Sequence, residues 1–506
     1  MTKKELGDWQ TPVELARAAL GVVARRGPTP AVVLEPTCGE GSFLVAAAER
    51  FRRAALVGYE LNERYAATAR DRLPPKRARV TVADFFRVDW DRALADLPEP
   101  ILIAGNPPWV TNAALGGIGS TNLPEKRNFK GLTGYEALTG KSNFDVSEWM
   151  LLRLLEALQG RRATVAVLCK TAVARRVVEL ATAKRWSVRP GGLWRIDAMR
   201  HFRAAVDAVL FVCDVGGDAP TDARWPRYAA LDAELPTASM AVVGGAVVAD
   251  ADALERTAHL AGSSDPEWRS GLKHDCARVM ELELQGRRWV NGLGEEVAVE
   301  DHLLFALMKS SDVARGGTPR ARAVIVPQTA LGEDTSRLRQ TAPRAWHYLS
   351  THRERLRARK SAVYRGQPDF AIFGVGPYSF APWKVAVSGL YKRCAFSVVG
   401  PRRDKPVMLD DTCYFLPFAS EEEARSACEA LRSPIAQDFF AARIFWDAKR
   451  PINKALLQKL DLAALLTATA GRKKEKKFPD RVDLAEPRVS PPRQGSPKRP
   501  GERTRR

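Results

Sequence analysis

Asn106-Pro107-Pro108-Trp109 sets a carboxamide, a main-chain carbonyl and an indole within four residues. Those groups suit one kind of chemistry. The exocyclic amine of adenine is a poor nucleophile, because its lone pair is delocalised into the ring. Two acceptors on its hydrogens, the Asn106 side-chain oxygen and the Pro107 carbonyl, would counter that. An adenine held there must have left its helix, and Trp109 offers a face on which it can restack. Two successive prolines fix φ and each restricts the residue before it, so the backbone carrying Asn106 is rigid. A Pro-Pro turn after a core strand, with the tryptophan simply buried, remains an alternative on these four residues alone.

The elements that must position this corner are short apolar strands. ILIAG, from Ile101, stops abruptly at Asn106, and three earlier runs stop in the same way. AVVL ends at Glu35-Pro36-Thr37-Cys38-Gly39-Glu40-Gly41, where Gly39 and Gly41 allow a sharp turn and close approach to a ligand beside a helix starting near Ser42. ALVGY ends at Glu60, an acid at the tip of a second strand, where nucleotide-type folds hold a ribose. ARVTVA ends at Asp84-Phe85. Helices separate the four runs at intervals of about 25 residues, as alternating βα units require. Each strand end alone is ambiguous; the ordered series is the argument. Ahead of them, Thr11-Pro12 reads as the N-cap and first position of a helix running through Leu20.

GDWQTP, EPTCGEG and NPPW resemble the motifs of DNA adenine methyltransferases of the class whose cofactor-binding part precedes target recognition. The resemblance covers most of residues 7–215 through specific motifs and residues 265–465 more loosely. It implies an α/β fold: a Rossmann-like seven-stranded S-adenosylmethionine-dependent methyltransferase domain over 1–217, then an α+β target-recognition domain over 218–466. It also implies roles. Thr11 and Pro12 lie at the methionine end of S-adenosylmethionine, and Glu35, Pro36, Gly39 and Gly41 form the cofactor loop. Glu60 takes the ribose, Asp84 accepts the cofactor adenine's amine and Phe85 packs on that ring. Asn106, Pro107, Pro108 and Trp109 are catalytic, with Asn106 also beside the cofactor. WRIDAMRHF and VDAVLFVCDV resemble the paired final strands of such a sheet, and Phe202 between them is the candidate for the other face of the flipped base.

Composition agrees with a polyanionic partner. Against 59 acidic residues stand 79 basic ones, a formal +20 and a pI near 9.8. Residues 471–506 hold 13 basic and 5 acidic residues, about +8, so about +12 belongs to the rest. Seven cysteines without a CxxC pair, and six histidines, suggest no metal site and a reducing compartment. Cys38, Cys169 and Cys213 read as small core residues. Without an apolar leader or a long apolar run, the expectation is a cytoplasmic protein that avoids the membrane.

Val110 to Ser142 forms a long connection in which Lys126, Arg127 and Lys130 are candidates for phosphate contact. Asn143 to Leu158 follows as an amphipathic helix, with Phe144, Trp149, Leu152 and Leu155 toward the core. Past Asp214 a stretch rich in Gly, Pro, Asp and Ala marks a boundary near 215–225. Beyond it, short apolar runs alternate with basic and aromatic residues. Lys273, His274, Tyr378, Lys384, Lys392, Arg402, Arg403, Lys449 and Arg450 are the candidates for DNA contact there. Pro368-Asp369 with Asp447-Ala448-Lys449 faintly imitates a nuclease site, but the gap is too long for a hairpin-borne metal. With the cofactor segment beginning at Gly7, a restriction endonuclease is expected to be a separate partner. Residues 467–506 read as a disordered basic tail.

The reading is a site-specific DNA methyltransferase acting on the N6 amine of a flipped adenine in double-stranded DNA, as the modification component of a restriction-modification system. Two alternatives stay open: methylation of RNA or of a protein glutamine, and a catalytically silent DNA-binding module.

Overall fold

A computed structural model describes residues 10–27, 29–110, 145–218, 220, 222–316, 320–448 and 450–475. Alternating apolar runs and helices fold into one large sheet. Its strands are β1 (Val32–Glu35), β2 (Ala55–Glu60), β3 (Ala78–Val82), β4 (Ile101–Gly105), β5 (Ala163–Lys170), β6 (Val188–Ile196), β7 (Ala208–Val215), β8 (Trp225–Tyr228), β9 (Ala238–Val243) and β10 (Ala246–Val248). They lie in the order β10-β9-β8-β6-β7-β5-β4-β1-β2-β3. β1 to β5 are mutually parallel, and β7 enters antiparallel between β5 and β6. The seven expected strands are therefore present as a Rossmann-like α/β sheet. The order reverses between β1 and β4, and the crevice outside the carboxyl ends of such a pair is where open α/β sheets bind ligands.

Period-two alternation explains how the sheet is covered on both faces. Val32, Leu34, Ile101, Ile103, Val165 and Val167 point into one core with the helices Val146–Ala157 and Thr171–Ala183. Val33, Leu102, Ala104, Ala166 and Leu168 point into another with α1 (Val13–Arg26) and α2 (Ser42–Arg50). Each buried valine, leucine or isoleucine among these contributes roughly 1.5–3 kcal/mol. Strands buried on both faces carry no exposed alternation, which is why they read as continuous apolar runs. Trp149, Leu152 and Leu155 are core residues as expected, and Cys38, Cys169 and Cys213 are buried and unbridged; Phe144 lies outside the described residues.

Two expected boundaries are corrected. The sheet has ten strands, so a division at 217/218 cuts through it. β8 pairs in parallel with β6, and the Trp194 and Tyr228 rings stack at 4.4 Å. WPRY looked like linker because four residues with a proline, between Gly- and Asp-rich flanks, show no period of their own. At the other end the helix Leu462–Glu475 runs through the expected start of the tail, held by buried Leu462 and Leu465.

The rest is α+β. β11 (Arg269–Ser270), β16 (Trp383–Ser388), β17 (Phe396–Val399) and β19 (Cys413–Phe418) make a four-stranded sheet. β12 (Glu281–Gln285), β13 (Arg288–Asn291), β14 (Leu304–Met308), β15 (Arg322–Ile325) and β18 (Met408–Leu409) make a five-stranded one. Among the described residues no helix is long and apolar enough to cross a membrane.

Candidate active site

Four strand ends converge at the carboxyl edge. β1 delivers Glu35, 3% exposed. Burial pushes its carboxyl well above the usual carboxylate range, although the Leu44 amide hydrogen-bonds to it and favours the ion. Its Oε2 and the Thr37 hydroxyl are buried and have no hydrogen-bond partner among the described residues. Gly39 (φ +51°) and Gly41 (φ +79°) take left-handed conformations that favour glycine. A Cβ on Gly39 would come within 2.6 Å of Gln10 Oε1, and that same oxygen accepts from the Glu40 amide at 3.1 Å.

At the tip of β2 the two oxygens of Glu60 accept from the Gly39 and Asn62 amides, each at 2.8 Å. A carboxylate has further lone pairs, so the loop is fixed while Glu60 can still take hydroxyls. Asp84, just past β3, accepts from the Phe86 amide at 3.0 Å. Phe85 is 4% exposed, with its ring against Trp90 and Trp149. The expectation that it lies on a cofactor ring is corrected: inward packing leaves it almost no free face.

β4 runs beside β1, and a Cβ on its last residue, Gly105, would lie 3.2 Å from Glu35 Cγ. Asn106 and its prolines therefore follow within contact range of the β1 loop. Trp109 is 7% exposed, donates from Nε1 to the Leu168 carbonyl at 3.3 Å, and meets Phe202 edge to face at 5.1 Å. This corrects the expectation of two rings facing each other across a base. Phe202 is 3% exposed and in contact with the indole, so no gap separates them. The hairpin's exposed apolar residues are instead Met199 and Val206, beside the rim ion pair of Asp207 and Lys392 at 2.5 Å.

Thr11 and Pro12 sit one step from their expected places. Pro12 is the N-cap and its carbonyl accepts from Leu15 and Ala16; among the described residues no side chain caps the helix. Proline tolerates both positions, which the sequence cannot distinguish.

Lys170 was missed. It ends β5, and its Nζ donates to the Trp109 carbonyl at 3.0 Å and to Asp145 at 2.6 Å. The Val146 amide donates to the Val110 carbonyl at 2.8 Å, so both ends of the 111–144 connection are tied beside the corner. The signal was available, since Lys170 closes an apolar run as Glu35 and Glu60 do. Gln10, the side chain under the Gly39 loop, carried no such signal.

In the second half the candidates disperse. Lys384 is 1% exposed, donates to the Ala381 carbonyl at 2.7 Å, and burial brings its pKa down to about 7. His274 is 7% exposed and faces Glu281 at 3.4 Å. Neither is a surface contact: β16 is buried on both faces from Lys384 to Ser388, and His274 is turned toward Glu281. Tyr378 is half-buried beneath the Arg269 guanidinium. Lys273 pairs with Asp275 at 3.1 Å and Arg450 with Asp411 at 3.5 Å. Lys392, Arg402, Arg403 and Arg450 are exposed. Lys126, Arg127, Lys130 and Lys449 lie outside the described residues. Asp369 pairs with Arg353 and Arg357 while Asp447 pairs with Arg175, so the nuclease-like residues do not assemble. Among the described residues no three His, Cys, Asp or Glu form a metal-holding group.

M.NspV, a type II methyltransferase of Nostoc sp., is 41% identical over 474 residues, 92% of this chain and 98% of that protein. This chain belongs to the type II methyltransferases. A second type II methyltransferase, M.CvrRI of a Paramecium bursaria Chlorella virus, is 34% identical over 114 residues, 22% of this chain and 27% of that one. Of solved structures, a putative class I S-adenosylmethionine-dependent methyltransferase from Listeria monocytogenes shares 12% identity at TM-score 0.32, over 44% of this chain and 67% of that chain. No family model matches.

The strand-end residues of this methyltransferase fit S-adenosylmethionine on their own chemistry. A buried carboxyl oxygen without a partner at Glu35 suits a cationic group, Glu60 suits vicinal hydroxyls, and Asp84 suits an exocyclic amine.

Proposed function

We propose that this type II methyltransferase methylates the N6 amine of an adenine swung out of double-stranded DNA, as the modification component of a restriction-modification system with a separate endonuclease. The methyl donor is S-adenosylmethionine, held by Glu35, the Gly39-Gly41 loop, Glu60 and Asp84. Bound there, it supplies a methyl group on a positively charged sulfur.

One observation carries the reading: Asn106-Pro107-Pro108-Trp109 leaves β4 at the switch point, next to the loop that ends β1. Asn106 Oδ1 and the Pro107 carbonyl accept the two hydrogens of the amine, which keeps its lone pair directed at the neighbouring site. The prolines hold both acceptors in place, so little reorganisation accompanies the reaction. Lys170 fixes the carbonyl of Trp109 and thereby the far end of the corner. No side-chain base is needed, because the methylated amine cation that attack produces is strongly acidic and gives its proton to water. The net charge of +20 supports a nucleic-acid substrate.

Digestion of DNA treated with the protein tests this. N6-methyladenine is expected, and Asn106→Ala is expected to lower its formation by at least about a hundredfold. Methylated cytosine, methylated RNA alone, or full activity in Asn106→Ala would each overturn the reading.

A further inference from the structure

The second domain carries a bay of about 530 Å³ whose wall sets Arg353, Arg357, Arg359, Lys360 and Arg365 against one carboxylate, Asp369. Arg359 braces it. Its guanidinium lies 3.7 Å from the Tyr364 ring centroid and donates to the carbonyls of Leu356, His274 and Ala371. Arg353 and Arg357 share Asp369, at 3.6 and 3.1 Å. Lys360 and Arg365 are exposed, and among the described residues no carboxylate pairs with either. Positive charge is thus collected on a firm concave surface and left largely uncompensated.

A chain of contacts links the bay to the rim of the large sheet. The Tyr364 hydroxyl donates to the Lys273 carbonyl, and Lys273 and Arg450 both approach Asp411. The next residue, Thr412, accepts from Gly389, which opens the turn whose Lys392 reaches Asp207 at the catalytic rim. Lys273, Arg450 and Lys392 lie along that chain of contacts, each facing a carboxylate. A mononucleotide would need a free aromatic face for its base, but Tyr364 is covered by Arg359 and Phe370 is buried against Trp346. Phosphate without a base is the better match.

We propose that this bay seats backbone phosphates of the duplex flanking the target adenine and does not read sequence. The proposal rests on the DNA reading above. Failure of that reading would appear in the wild-type chain, which would neither retain nor methylate duplex DNA; failure of the bay appears only in variants.

The test measures affinity of the full chain for sheared mixed-sequence duplex and for an adenine-free alternating G-C duplex over a range of salt. Each lost phosphate contact lowers the slope of log K against log salt by about 0.9, so Lys360→Gln with Arg365→Gln is expected to lower it by about 2. Binding at low salt should weaken at least about tenfold, equally on both duplexes, with S-adenosylmethionine affinity and thermal midpoint unchanged. Lys360→Arg, which keeps the charge, should keep the slope. An unchanged slope in the double variant, a loss confined to one duplex, or a loss of inorganic phosphate binding with duplex affinity intact would each overturn the proposal.

Discussion

Glu35 is a carboxyl enclosed where its charge is poorly solvated, and at the residue scale this has two separable consequences. Its folded pKa lies above the ordinary value of 4.5, so the unfolded chain releases a proton that the folded chain keeps. This group's contribution to the stability of the ligand-free protein is therefore fully present below about pH 4.5 and is lost as pH rises from there through the raised folded value. Glu35→Gln removes that loss. Its thermal midpoint should exceed the wild type's at pH 8 and match it near pH 4, while calorimetry should show S-adenosylmethionine binding at least about tenfold weaker. Unchanged affinity would take Glu35 out of the cofactor site. Lys170 acts through another residue and should read out differently. Lys170→Met is expected to lower kcat by about a hundredfold with little change in KM for DNA, since displacement by about an ångström has that cost. Lys170→Arg should restore most of it; a change in KM alone would assign Lys170 to substrate binding.

At the scale of the element, the β1–α2 loop holds its shape through two glycines and the side chain beneath them. Gly39→Ala adds a Cβ both to a left-handed backbone and against Gln10. The backbone part costs roughly 1–2 kcal/mol. Denaturant unfolding should show at least that loss, and adding Gln10→Ala should recover the clash and leave the backbone cost. Full recovery would mean that the conformation at Gly39 is unimportant. The same loop shows why strand ends were legible from sequence: an apolar run, its terminal acid and the following glycines are neighbours in the chain. β8 was not, because its pairing with β6 depends on Trp194 and Tyr228 meeting across more than thirty residues.

For the whole molecule, one contact that fastens the second domain to the large sheet is a partly buried ion pair. Arg175 pairs with Asp447 at 2.8 Å, with side chains 19% and 8% exposed, and lies 4.2 Å from the Phe445 ring centroid. Asp447→Ala leaves the guanidinium half-enclosed without its carboxylate, at a cost of about 2 kcal/mol. It should also separate one calorimetric unfolding transition into two; a single transition at the wild-type midpoint would show that other contacts fasten the domains. The exposed pair of Lys392 and Asp207 contributes less, at most about 1 kcal/mol.

What the sequence determined by itself was the first half of the chain: the βα alternation, the strand ends at Glu35, Glu60, Asp84 and Asn106, and the excess of positive charge. These are local in the chain, and the sheet topology only gathers them at one edge. Tertiary structure alone decided which side chains face solvent. It closed Phe202 against Trp109, buried Lys384 and His274, brought Lys170 under the corner, and assembled the bay around Arg359. A charge or an aromatic ring has the same letter inside and outside a fold, and only its long-range neighbours settle which it is.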